Sequence, residues 1–174
     1  MPEMVRVTDR TDIDSVADLA HEIWNRHFVP IVGQEQVDYM LAKFQSAPAI
    51  SEQIANGYQY FIVMDHGQRV GYFAIVPCPD ESGAQLSKIY IKHDQRGHGL
   101  GKAIMAFVEE CCVNMGIRRL WLTVNRHNIG PIAFYRHMGF TKDESLVQDI
   151  GGGFVMDDYK MVKMIGRQGN ATRR

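Results

Sequence analysis

Gly97, Gly99 and Gly101 stand at alternate positions between Arg96 and Lys102, after an apolar run ending at Ile91 and before a stretch of helical periodicity. Alternate glycines let a backbone adopt positive φ and approach a ligand closely. At a helix start the first N–H groups have no internal acceptor, and the helix dipole favours negative charge. The segment therefore predicts a phosphate or pyrophosphate site over Arg96–Lys102. Arg96 and Lys102 add charge, while the amides do most of the positioning. Ala103 follows Lys102, so the Walker A spacing is not met, and strict alternation does not meet the dinucleotide-binding fingerprint. On these glycines alone, a ligand-free turn is an equal alternative.

A second group with chemical potential is Asn128-Ile129-Gly130-Pro131-Ile132-Ala133-Phe134-Tyr135, continuing to Gly139-Phe140. A tyrosine of ordinary pKa, near 10, is protonated at neutral pH and can serve as a general acid. It can equally pack on a helix face with its hydroxyl bonded. On its own, Asn128 reads as a helix N-cap or turn residue, and Asn125 as a strand end.

The elements that must hold these groups follow from hydrophobic period. Met4–Thr8 reads as a strand. Thr11-Asp12-Ile13-Asp14 reads as an acidic capping box opening a helix to about Trp24, with Ile13, Val16, Ala20, Ile23 and Trp24 on one face. Pro30 and Gly33 break the pattern, and helices over 34–45 and 48–56 follow. The period then switches to two. Tyr58–Met64 and Val70–Val76 read as strands joined by an Asp65-His66-Gly67-Gln68 turn. After a turn-rich 77–83 come a strand over 84–91, a helix over 99–115, a strand over 119–124 and a helix over 131–138. Two last strands, 140–147 and 154–164, flank Gly151-Gly152-Gly153. The segments predict one α/β domain over 1–165 and a polar tail over 166–174.

Composition narrows the partners. The chain has 174 residues, 45% hydrophobic and 22% charged, as in globular proteins. Nineteen Lys plus Arg against twenty Asp plus Glu, net −1, argue against nucleic acid as a partner. No run of about 18 apolar residues predicts a membrane span. The charged start has no apolar signal region, and the expected location is cytoplasmic. Cys78, Cys111 and Cys112 form no zinc-ligand pattern with histidine, so no metal is expected.

Arg96-Gly97-His98-Gly99-Leu100-Gly101 resembles the Arg/Gln-x-x-Gly-x-Gly/Ala signature of the GNAT superfamily of N-acetyltransferases. The segment from Asn128 to Phe140 is similar to that family's Asn-x-x-Ala-x-x-x-Tyr-x-x-x-Gly-Phe motif, in the same order and at the right distance. The resemblance covers about residues 4–163. It implies an α/β fold (α+β mixed sheet) in which about six to seven strongly twisted strands carry helices on both faces and the central strands splay. It also implies acetyl-coenzyme A as co-substrate and transfer of the acetyl group to an amine. By resemblance, the amides of Arg96, Gly97, His98, Gly99, Leu100, Gly101 and Lys102 bind the pyrophosphate. Ile89, Tyr90 and Ile91 pair with the pantetheine arm, Asn125 and Asn128 contact the coenzyme, and Tyr135 is the general acid.

Many family members carry a Glu on the strand before the glycine loop. Here that strand reads Ala84-Gln85-Leu86-Ser87-Lys88-Ile89-Tyr90, without a carboxylate. Base candidates are Glu22, His27 in the loop after the first helix, Asp157 and Asp158. A surface or capping histidine and solvated strand charges are the plainer readings. The acceptor wall is expected from Trp24, His27, Phe28, Tyr39, Phe154 and Tyr159, with Glu22, Asp149, Asp157 and Asp158 attracting a cation. The Phe154–Met161 ending resembles polyamine and small-amine acetyltransferases, which gives a lean toward a polyamine-like small-molecule amine. A protein N-terminus or lysine, or a coenzyme A-binding sensor without turnover, are the alternatives. The three glycines of the last turn are a candidate mobile gate. A homodimer is an expectation from resemblance alone.

Overall fold

The computed structural model of the protein describes residues 1–78 and 83–166. Most of the expected tail, and part of the turn-rich 77–83 segment, lie outside the described residues. Seven strands form one mixed sheet in the order β1-β2-β3-β4-β5-β7-β6. β1 (Glu3–Arg6), β2 (Gln59–Asp65), β3 (Gln68–Cys78) and β4 (Gly83–Ile91) pair antiparallel in succession. The turn between β2 and β3 places His66 at φ 49° and Gly67 at φ 74°, the two positive angles that a tight hairpin requires. β5 (Arg119–Asn125) joins β4 in parallel. β7 (Phe154–Met164) enters between β5 and β6 (Thr141–Gly151), antiparallel to both.

Helices cover both faces. α1 (Arg10–His27), α2 (Val29–Val32), α3 (Gln34–Phe44) and α4 (Ala47–Ala55) build one layer. There Val16, Ile23, Trp24, Val37 and Ile50 meet Tyr60, Ile62 and Tyr72 of the sheet. α5 (Leu100–Asn114) and α6 (Ile129–His137) build the other. Leu100, Ile104 and Val108 pack there on Leu120, Leu122 and Val124, the alternate residues of β5. Among the described residues no helix is long and apolar enough to cross a membrane.

Two local readings are corrected. Asp9, not Thr11, caps α1: its backbone is extended, its Oδ1 accepts from Asp12 N at 2.9 Å, and Asp12 Oδ2 accepts from Thr8 N at 3.2 Å. The cap thus sits two residues earlier, with the return bond going to the residue before the cap, because Thr11 already lies in the first turn. At the other end α1 runs on to His27, which is helical rather than in a loop. Phe28, whose N–H reaches Trp24 O, then hands over to α2.

The ladder between β4 and β5 is short. Gly83, Ala84 and Gln85 pair with Arg119, Leu120 and Trp121, and the two strands then part. Buried backbone groups in a sheet interior are normally paired, so this opening is where a ligand with its own amides fits.

Candidate active site

A cavity of about 630 Å³ opens where β4 and β5 diverge. Leu86–Ile91 of β4 and Leu122–Asn125 of β5 form its sides. The glycine loop and the start of α6 close one end, and Trp24, His27, Phe28, Val32, Gln36, Met40, Met156 and Asp158 line the other part.

Gly97 and Gly99 have φ of 79° and 78°, and a Cβ on either would meet nothing within 4 Å, so the space beside the loop is open. The first helical bond of α5 runs from Ala103 N to Gly99 O at 3.1 Å. Leu100, Gly101 and Lys102 therefore present N–H groups with no helical acceptor, a cradle suited to an anion. Gly101 serves packing instead: a Cβ there would lie 2.9 Å from Phe134 Cζ. Lys102 lines the cavity, whereas His98 is exposed and does not.

Arg96 turns inward. Its Nε donates to Ile91 O at 3.2 Å, and its Nη1 lies 3.1 Å from His27 Nδ1. Guanidinium nitrogens only donate, so His27 Nδ1 is the acceptor and carries no proton. The proton then sits on Nε2, which donates to Asn128 Oδ1 at 2.8 Å. Burial holds His27 below its ordinary pKa. The Asn128 bond opposes that shift, and the charges of Arg96 and His93 add to it. With both nitrogens engaged, His27 joins the glycine loop to the start of α6 and has no free lone pair for an amine proton. Asn128 is buried at the N-cap position of α6 but makes no side-chain cap bond. Asn125 lines the cavity and accepts from His127 N at 2.9 Å, which shapes the turn.

Tyr135 projects from α6 into the cavity and is 7% exposed. Its hydroxyl has no hydrogen-bond partner among the described residues, and burial raises its pKa, so the phenol keeps its proton. Asp158, 6% exposed, faces the same space from β7 and also lacks a side-chain partner there. Burial, and then the neighbouring Asp157 charge, raise its carboxyl to about 6. Burial above all raises the pKa of Tyr90, and its proximity to Tyr135 and Asp158 raises it further, so its hydroxyl keeps its proton as well.

Other candidates lie elsewhere. Glu22 pairs with Lys92 at 3.2 Å and Asp157 with Arg126 at 2.7 Å, both off the cavity. Strand alternation explains the second, since Asp157 and Asp158 point to opposite faces. Tyr39 and Phe154 pack at a tilt, 5.1 Å between ring centroids, outside the cavity, where Tyr39 Oη donates to Ile150 O at 2.7 Å. The glycine hairpin tip is thus held against α3. Tyr159 lies under the Arg126 and Lys142 cations instead of in the wall, and Asp149 accepts from Gly151 N.

Sequence reasoning missed the Tyr90 side chain and the α2–α3 wall of Val32, Gln36 and Met40. It also missed the side chain of Lys88, whose buried Nζ donates to Phe44 O at 2.7 Å and Gln53 Oε1 at 2.9 Å. A lysine inside an apolar strand was the available signal. For Met156, also missed, it was the i, i+2 spacing from Asp158.

The sequence profile of the Acetyltransferase (GNAT) family matches residues 17–140. An uncharacterized N-acetyltransferase of Mycobacterium tuberculosis is 26% identical over 153 residues, 88% of this chain and 97% of its own. The spermidine N(1)-acetyltransferase of Thermoplasma acidophilum is 20% identical over 158 residues, 88% and 94% of the two chains. The structure of the PaiA N-acetyltransferase from the same organism, in complex with coenzyme A, superposes with a TM-score of 0.77 at 19% identity. It covers 94% of this chain and 99% of that one.

Proposed function

The chain belongs to the GNAT family of acetyltransferases, and from that premise we propose that it transfers an acetyl group from acetyl-coenzyme A to the primary amine of a small molecule. One observation carries the reading. A phenol and a buried carboxylate, each without a side-chain partner among the described residues, face a single cavity whose far end is an amide cradle at a helix start.

The glycine-loop amides hold the pyrophosphate, with Lys102 adding charge. The unpaired edges of β4 and β5, including Ile89, Tyr90 and Ile91, accept the amide-bearing arm by strand-like hydrogen bonds. Asp158 holds the incoming ammonium and takes its proton. An ammonium in water is far less acidic than a carboxyl group. In an apolar cavity, however, desolvation lowers the amine's pKa and raises the carboxyl's, which narrows the gap. The freed amine attacks the thioester carbon, the carbon–sulfur bond breaks, and Tyr135 gives its proton to the departing sulfur, while the second proton shed by the newly acylated nitrogen restores the phenol. A polyamine-like acceptor draws support from the Phe154–Met161 ending and from the spermidine-acetylating relative.

The test is thiol release from acetyl-coenzyme A with a panel of amines, wild type against Tyr135→Phe. Loss of the acid is expected to lower kcat about 10²-fold or more while coenzyme A still binds. Full activity in the phenylalanine variant would remove Tyr135 from the chemistry. Tight coenzyme binding with no release for any amine would support a sensor instead.

A further inference from the structure

We infer that the acceptor is a primary amine with one positive charge on an apolar body, and that polycations are disfavoured. This rests on the N-acetyltransferase reading and narrows it. Away from the glycine loop, the cavity runs between α1–α3 and β7, and its wall is built by Trp24, Phe28, Val32, Met40 and Met156. Trp24 and Phe28 lie 4.3 Å apart between ring centroids, and Trp24 packs edge-on to Tyr90 at 5.3 Å, so the aromatic surface is continuous. Gln36, the polar side chain on the α3 side, is tied to Val155 O at 3.1 Å.

Among the described residues Asp158 is the one acidic group that lines the cavity, whereas Lys88, Arg96 and Lys102 also line it. The carboxylates that would serve a second ammonium are engaged elsewhere. Glu22 binds Lys92, Asp157 binds Arg126, and Asp149 closes the β6–β7 turn. A second ammonium inside this wall would lose water without gaining a counter-charge, and unpaired buried charge is strongly disfavoured. An alkyl or aryl group there gains contact instead. The recognition set is thus one carboxylate for the reacting nitrogen and an apolar sleeve for what it carries.

The decisive comparison is heptylamine against 1,6-diaminohexane, which match in chain length and differ in a terminal methyl against a terminal ammonium. Initial rates of thiol release should give heptylamine a kcat/KM at least ~10-fold higher, because a charge replaces a methyl in an apolar wall. Across propylamine, butylamine, pentylamine and hexylamine, kcat/KM should climb about fourfold per methylene, the fold-change expected for burying one CH2. Met40→Glu should shrink or reverse the diamine penalty while coenzyme A binding, measured by calorimetry, stays as in wild type. Equal rates for the matched pair, a preference for 1,6-diaminohexane or spermidine, or turnover confined to peptides would overturn the inference and leave the acetyltransferase reading standing. Intact coenzyme A binding with no thiol release for any of these amines would instead sink the reading on which it rests.

Discussion

Asp157 and Asp158 are chemically identical neighbours with different fates. Asp157 meets Arg126, while Asp158 enters an apolar cavity that lifts its carboxyl to about 6. A base must be ionised to accept a proton. The kcat/KM of the wild type should therefore rise with pH through about 6, and a pH–rate profile of Asp158→Asn should lose that rising limb. The variant's kcat should fall about 10²-fold, the usual size of a general-base contribution. Stability has the opposite sign. A carboxyl raised by burial makes the folded state bind more protons than the unfolded chain, so this group's stabilisation is lost between the ordinary carboxylate range and about pH 6. His27 belongs at this scale too. Its bonds to Arg96 and Asn128 make it a positioning residue, so His27→Ala should weaken coenzyme A binding about tenfold, roughly the worth of one charge-assisted hydrogen bond. Titration calorimetry reads that loss. Near-normal kcat at saturating coenzyme would separate positioning from proton transfer.

Between elements, the decisive contacts are those that hold α6 beside the open seam. β4 and β5 pair for three residues and then separate, while β5 stays zipped to β7 along its whole length. Tyr135 is therefore carried to the seam by α6, and Gly101 of α5 sets how closely α6 can lie. The ring of Phe134, the residue before Tyr135, occupies the space a Cβ at position 101 would take. Gly101→Val should destabilise the protein by about 1–3 kcal/mol, as overpacking of a tight contact does. Thermal melting measures that. Because the displaced helix bears Tyr135, kcat should drop more than coenzyme affinity. A variant with unchanged melting and unchanged kcat would mean that the helices adjust freely.

Across the whole molecule, the helical layer of α1–α4 is tied to the sheet by a buried cation. Lys88 of β4 reaches Phe44 O and Gln53 Oε1 over the Tyr60 ring, and burial lowers its ammonium to about 7. Here the unfolded chain binds more protons than the folded one above that pKa. Stability should therefore rise between about pH 7 and 9.5, and chemical denaturation of Lys88→Met should show a flatter dependence over that range. The net charge of −1 is likewise an average over unlike regions: inward-turned Arg96 and Lys102 near the loop, and one acid at the acceptor end. The order of strands and helices (α2 aside, which reads as a break at Pro30 and Gly33), the glycine loop and the Asn128–Phe140 segment were legible in the sequence. They depend on spacing over a few residues, where period, glycine and proline act directly. The cap of α1 and the extent of that helix slipped by a few residues, because several adjacent polar side chains can close the same turn. What the tertiary structure alone decided was which acid faces the cavity, that Glu22 is spent on Lys92, and that α2 and α3 supply an apolar wall. The reason is distance along the chain. His27 meets Asn128 across 101 residues, and no local period reports which side chains a seven-stranded sheet brings face to face.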